Sequence, residues 1–217
     1  MEVAVSAYDQ YPLGLRLSHL ALLRNLDTFG RKPDGEATTM SDDLAAFVRR
    51  YVDFLVVHHR SEEDDLLPAL RRHTAGRTTD AAHLTRWQEE HRGIDRLGEN
   101  LGRAADARDR GALARVSADL RALLAPHVAD EEAVLTPDHL REMLPEPELA
   151  GVMAAAARAN RRHALAMASF LAHSLDRDEQ RQLFGATPWL FRRVLLGAIG
   201  ERRFARFRPY AYAPLAV

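Results

Sequence analysis

The sequence predicts an all-α protein: an up-down-up-down four-helix bundle followed by a C-terminal helical extension. Three observations predict it. Apolar residues recur at three- and four-residue spacing through four long stretches. Short segments carrying Gly, Pro or an N-cap residue separate them. One eleven-residue pattern is written twice, at 58–68 and 127–137: His, three residues, Glu-Glu, two residues, Leu, one residue, Pro.

The elements follow in order. Leu15, His19, Leu22, Leu23, Leu26 and Phe29 predict a helix over about 12–30 that Gly30 ends. Residues 31–40, with Lys-Pro-Asp-Gly, read as a loop. Ser41 is an N-cap, with Asp42 and Asp43 in the first turn where the helix dipole favours them. The second helix carries Leu44, Phe47, Val48, Tyr51, Leu55, His58, Glu62 and Leu66 on one stripe and bends or ends at Pro68. The third starts near Asp80, with Leu84, Trp87, His91, Ile94, Leu97 and Leu101 inward. Its Gly93, Gly98 and Gly102 each weaken it by roughly 1 kcal/mol relative to Ala. The fourth covers about 110–136, with Leu113, Leu120, Leu124, His127, Glu131 and Leu135 inward. Pro126 lies inside it and predicts a kink.

Pro145-Glu146-Pro147 reads as a linker and helix start. It divides the chain into a bundle over 1–144 and an extension over 145–217. The extension reads as one helix over about 147–175, a short one over 177–185, a last one from Pro188 to about 206, and a loose tail over 209–217. From Gly151 onward there are 11 Arg against 4 acids, whereas residues 1–150 carry 19 basic and 27 acidic residues. The extension is therefore expected to pack its Trp189, Leu190, Phe191, Leu195, Leu196 and Ile199 on an acidic bundle. A protein partner is the alternative; a nucleic-acid partner is not expected.

Composition excludes several classes. The 217 residues are 47% hydrophobic, enough for a core. There is no cysteine, which removes disulfides, thiolate zinc sites and cysteine-ligated clusters and suits a reducing cytoplasm. No apolar run reaches membrane-spanning length, and Met1–Gln10 lacks the pattern of a signal peptide. A cytoplasmic location is expected. Glu-x-x-His, His-Glu-x-x-His, phosphate-loop and Gly-x-Ser-x-Gly patterns are all missing.

The repeated pattern carries the chemistry. His and Glu four apart share one helix face. His58 with Glu62, and His127 with Glu131, are two such pairs, and a lone histidine precedes each: His19 and His91. All six fall on inward stripes. Ionisable groups on four core stripes need a common partner, and metal ligation supplies one. Imidazole and carboxylate suit iron, zinc or manganese. Two carboxylates can bridge two metals while four imidazoles fill terminal positions. His59 with Glu63 repeats the spacing, but only His58 aligns with His127 through Pro68 and Pro137. His59 and Glu63 are therefore expected at the surface or behind the ligands.

The pattern of His19, His58/Glu62, His91 and His127/Glu131, with Leu-x-Pro after the first Glu-Glu, resembles the hemerythrin-like, His-His-Glu cation-binding domains over about residues 12–140. The resemblance implies a bundle holding a non-haem, oxo- or hydroxo-bridged pair of iron ions. Glu62 and Glu131 would bridge them; zinc or manganese is the alternative. One position departs from the pattern. Oxygen-carrying hemerythrins place two histidines one turn apart on the third helix, whereas Trp87 and Asp95 flank His91 here. A nitrogen donor is then missing unless Asp95 or Tyr51 replaces it. Otherwise Asp95 reads as a solvated acid, Tyr51 as core, and Trp87 as packing over the metal.

Three functions follow as expectations. The first is binding of dioxygen or a related ligand such as nitric oxide, for sensing, storage or delivery. The second is catalase- or peroxidase-like turnover of hydrogen peroxide. The third is signalling of iron or oxygen to a protein partner through the C-terminal helices.

Overall fold

The computed structural model describes residues 6–31, 40–75, 77–185, 205–210 and 212. Among these, the secondary structure is entirely helical. Helix α1 spans Ala7–Gly30 and α2 spans Asp42–Ser61. A π-helical turn at Glu62–Leu66 leads without a break into α3, Leu67–His73. Helices α4, Thr78–Asp106, and α5, Arg110–Val134, complete the four long elements. Then come α6 (Pro137–Met143), α7 (Glu146–Ala159), α8 (Ala164–Ser174), α9 (Arg177–Phe184) and a 3-10 segment, Ala205–Tyr210.

Caps set many of these boundaries. Ser6 accepts the Tyr8 N–H, so α1 starts five residues before the point suggested by its apolar stripe, and Pro12 lies within it. Ser41, Asp109 and Thr136 accept the N–H groups of Leu44, Ala112 and His139 in the same way. Asp176 and Glu179 close a reciprocal capping box at α9. Pro68 lacks an N–H and crowds the carbonyl four residues back, so the helix ahead of it widens. The Leu67 N–H accordingly reaches five residues back to the Glu62 carbonyl. Pro126, by contrast, leaves α5 a continuous helical element.

Helix α1 packs on α5 and α2, and α4 packs on α5 and α2. Two glycines of α4 permit close approach. A Cβ at Gly93 would stand 3.0 Å from Leu123 Cδ2, and one at Gly98 would stand 3.0 Å from Leu55 Cδ2. Their cost in helix propensity is thus tied to tight packing against α5 and α2.

Two apolar clusters form. The larger contains Leu22, Leu26, Phe47, Leu55, Ile94, Leu101, Leu113 and Leu120. The smaller contains Leu15, Leu66, Leu84, Trp87 and Leu135. Between Leu15 and Leu22 lies His19; between Leu55 and Leu66 lie His58, His59 and Glu62. His91 separates Trp87 from Ile94, and His127 and Glu131 separate Leu124 from Leu135. A buried polar layer therefore divides two apolar cores.

The C-terminal helices lie against α1 and α2. Phe170 packs 4.9 Å from Phe54 and Phe207 packs 5.5 Å from Phe47, between ring centres. Arg24 holds Glu179 through two bonds of 2.5 and 3.0 Å, and Asn25 donates to Ser174 at 2.8 Å. The single helix expected over 147–175 is instead two, separated by turns at 160–163. Asn160, a weak helix former, ends the first. The expected helix from Pro188 and its apolar residues lie mostly outside the described residues. No helix among the described residues is long and apolar enough to cross a membrane.

Candidate metal centre

The six residues singled out by the repeat meet in the polar layer. His19, His91, His127, Glu62 and Glu131 are each at most 2% exposed. His58 is the most open, at 10% of its side chain. Glu131 reaches both ways: Oε2 is 3.3 Å from His19 Nε2, and Oε1 is 3.3 Å from His127 Nε2 and 3.6 Å from His91 Nε2. Glu62 does the same, with Oε1 3.4 Å from His58 Nε2 and Oε2 3.5 Å from His91 Nε2.

His59 joins them, contrary to the expectation drawn from its sequence. It is 2% exposed, stacks on His91 at 4.4 Å and meets His127 edge-on at 6.3 Å. Ligand atoms of three triads lie within 4.8 Å of one another: His19, His58 and Glu62; Glu62, His91 and Glu131; His59, His91 and His127. The fifth imidazole comes from α2, beside His58, and not from a position one turn from His91.

A second layer of acids orients these rings. Each of four Nδ1 atoms meets a carboxylate: His19 with Glu132 at 2.9 Å, His59 with Asp95 at 2.6 Å, His91 with Glu63 at 2.9 Å and His127 with Glu90 at 2.8 Å. An acid at Nδ1 favours the tautomer with the proton on that nitrogen and turns Nε2 towards the layer, where those of His19 and His59 have no hydrogen-bond partner and those of His91 and His127 lie 3.1 Å apart. The second glutamate of each Glu-Glu thus holds the lone histidine of another helix, Glu63 for His91 and Glu132 for His19. Asp95 supports a ring rather than standing free in solvent or taking its place.

Burial and charge shape the titration. Burial pushes the Glu62 carboxyl well above its usual range, and the facing Glu131 adds to this. Glu131 is held well below that range, because His19 and His91 outweigh its burial. Burial alone would lower His91, but Glu131, Glu62 and Glu63 raise it to about 9. Burial lowers His58 well below its ordinary value, reinforced by His19 and His59.

The donors fit a metal. His19 Nε2, His59 Nε2, both oxygens of Glu62 and Glu131 Oε2 are buried without a hydrogen-bond partner. Groups of that kind are costly unless something pairs with them, and a cation is what two carboxylates and five imidazole nitrogens attract. These buried His/Glu clusters could hold a metal ion.

The tyrosines differ. Tyr51 is fully buried, packs 5.3 Å from Phe29 and 6.3 Å from Phe170, and its hydroxyl has no hydrogen-bond partner. Its titration is raised by burial alone. Tyr11 is raised first by burial and then by the charges of Glu62 and Glu131, so its phenol feels the field of the carboxylate pair. The spacing Tyr11, Leu15, His19 puts it on the His19 face, a signal hidden by starting the helix at Pro12. Trp87 is fully buried and donates to Asp130 at 2.6 Å. His73, His83, His139, His163 and His173 take no part in the three triads.

Comparison with protein-family models, curated proteins and solved structures returned no match.

Proposed function

We propose that this chain is a hemerythrin-like four-helix bundle that holds two iron ions and binds dioxygen or a related small ligand. The observation that carries the reading is the division of donors about the two glutamates. One half has His19, His58, Glu62 Oε1 and Glu131 Oε2. The other has His59, His91, His127, Glu62 Oε2 and Glu131 Oε1. Four donors face one ion and five the other, with Glu62 and Glu131 bridging. The four-donor half leaves more room for an exogenous ligand. Imidazole and carboxylate donors suit iron, zinc and manganese alike; the choice of iron follows from the resemblance of the His/Glu pattern to hemerythrin-like domains.

The bundle topology is supported by the order of the two apolar clusters. It runs smaller, polar layer, larger along α1, reverses along α2, and alternates again along α4 and α5. Helices that alternate in direction produce that order.

Iron in such a site supplies an open coordination position and one-electron chemistry. The chain positions the rings through Glu63, Glu90, Asp95 and Glu132, flanks the layer with an apolar cluster on each side, and puts Tyr11 on the same face of α1 as His19. Tyr11 favours a second reading, turnover of hydrogen peroxide: on the His19 face of α1 its phenol stays protonated and can donate a hydrogen bond to a bound peroxide.

The test is to mix the reduced, iron-loaded protein separately with dioxygen and with peroxide, recording visible absorption and oxygen release. A stable, reversible spectrum with dioxygen supports binding. Sustained oxygen release from peroxide supports turnover. No spectral response to either would overturn both.

A further inference from the structure

His58 differs from the other four histidines. Each of those has an acid at Nδ1; His58 instead borders a cavity of about 490 Å³. Ser18 and Phe54 line it on one side, with Ala157, Ala164, Ala168 and Leu171 among the residues facing them. The extension supplies most of that wall, through α7, α8 and α9. The volume corresponds to roughly sixteen water molecules at about 30 Å³ each, far more than a diatomic ligand occupies. It lies within the range of sites for organic molecules, about 300–1,000 Å³.

The lining specifies the chemistry. Among the described residues that form it, none carries a fixed charge. Its two serines are engaged within their own helices, Ser18 donating to the Gly14 carbonyl and Ser61 to the His58 carbonyl. Alanines at 156, 157, 164 and 168 keep the wall set back, so the space follows from small side chains. The Asn160 amide and the His58 ring are the polar groups left to meet a guest.

We propose that this cavity binds an uncharged, mainly apolar organic molecule, with one end against His58 and hence beside the four-donor half of the metal centre. The cavity stands on its own lining; the placement beside a metal rests on the function proposed above. On this account the C-terminal helices make a vestibule that selects what reaches the centre. An anionic guest would be disfavoured, because the wall offers no cation and the layer behind His58 is rich in carboxylates.

The test uses the full chain and an uncharged fluorophore, N-phenyl-1-naphthylamine. Saturable binding at one site is expected. Ala157→Phe and Ala168→Phe should each weaken it at least tenfold. Ala166→Phe, in the neighbouring cavity beside Arg50 and His163, should leave it unchanged. Thermal unfolding checks that each variant folds, and two filling variants guard against the loss of one. No saturable binding, or equal binding by both filled variants, would overturn the proposal. A second arm loads cobalt(II) and follows its visible spectrum as the fluorophore is added. A shift supports contact at the centre; an unchanged spectrum with binding intact would overturn the placement against His58. Failure of cobalt to bind would count against the metal reading and leave the first arm to decide the cavity.

Discussion

His59 Nδ1 on α2 stands 2.6 Å from Asp95 Oδ1 on α4, a contact that turns a ring outside the repeated pattern into the centre. The acid anchors the ring and raises the basicity of the opposite nitrogen. Asp95→Asn keeps the shape and removes the charge. It should weaken metal affinity about 10- to 100-fold, measured by competition with a chelator. Glu99→Gln, one turn further along the same helix and exposed, should leave affinity unchanged. Equal affinity in both variants would remove Asp95 from the account.

Tyr11 and Tyr51 separate by their surroundings. Tyr11→Phe should keep the iron content and reduce the affinity for azide, a small anionic probe, by about tenfold. That is the loss expected for one hydrogen bond to a charged group, about 1.5 kcal/mol. Tyr51→Phe should change neither. The opposite ranking would identify Tyr51 as the tyrosine that serves the site.

Removing metal should destabilise the chain, because it leaves Glu62 and Glu131 buried against unsatisfied ring nitrogens. At a metal concentration about 100 times Kd, binding stabilises the fold by about 2.7 kcal/mol. For a chain of this size that corresponds to roughly 5–10 °C in Tm. Scanning calorimetry with and without a chelator reads the difference. Identical midpoints would mean that no metal belongs there.

Glu148 on α7 ties the extension to α3. It accepts from Arg72 and lies 2.5 Å from His73 Nε2. These contacts hold its carboxyl below the ordinary glutamate value. The stabilisation is therefore present at neutral pH and lost as pH falls through the lowered value. Glu148→Gln should lower Tm at pH 7, and the difference from the parent should vanish once the pH has fallen below that lowered value. A difference that persists in acid would show that charge plays no part in the contact.

The long helices were legible because their apolar stripes and caps agree at Ser41, Leu44 and Leu84, and the six-residue pattern was legible because it is written twice. His59 was not, because an ideal helix cannot aim adjacent residues at one point. Both rings nevertheless border the layer from the last turns of α2, His58 beside His19 and His59 stacked on His91. Glu90 carries no signal in spacing, since its partner, His127, lies 37 residues away on α5. Helix α6 is too short for periodicity to reveal, although Thr136-Pro137 marks its start. The turn at Asn160 interrupts an alanine-rich stretch whose local propensity favours continuation.

The central claim is that Glu62 and Glu131 join two half-sites in one layer. It is tested most directly by counting metal. Anaerobic iron(II) loading followed by elemental analysis should give about two ions per chain for the parent. Glu62→Ala and Glu131→Ala, each folded by circular dichroism, should lose the pair and retain one ion or none. Two ions retained in both variants would contradict the account.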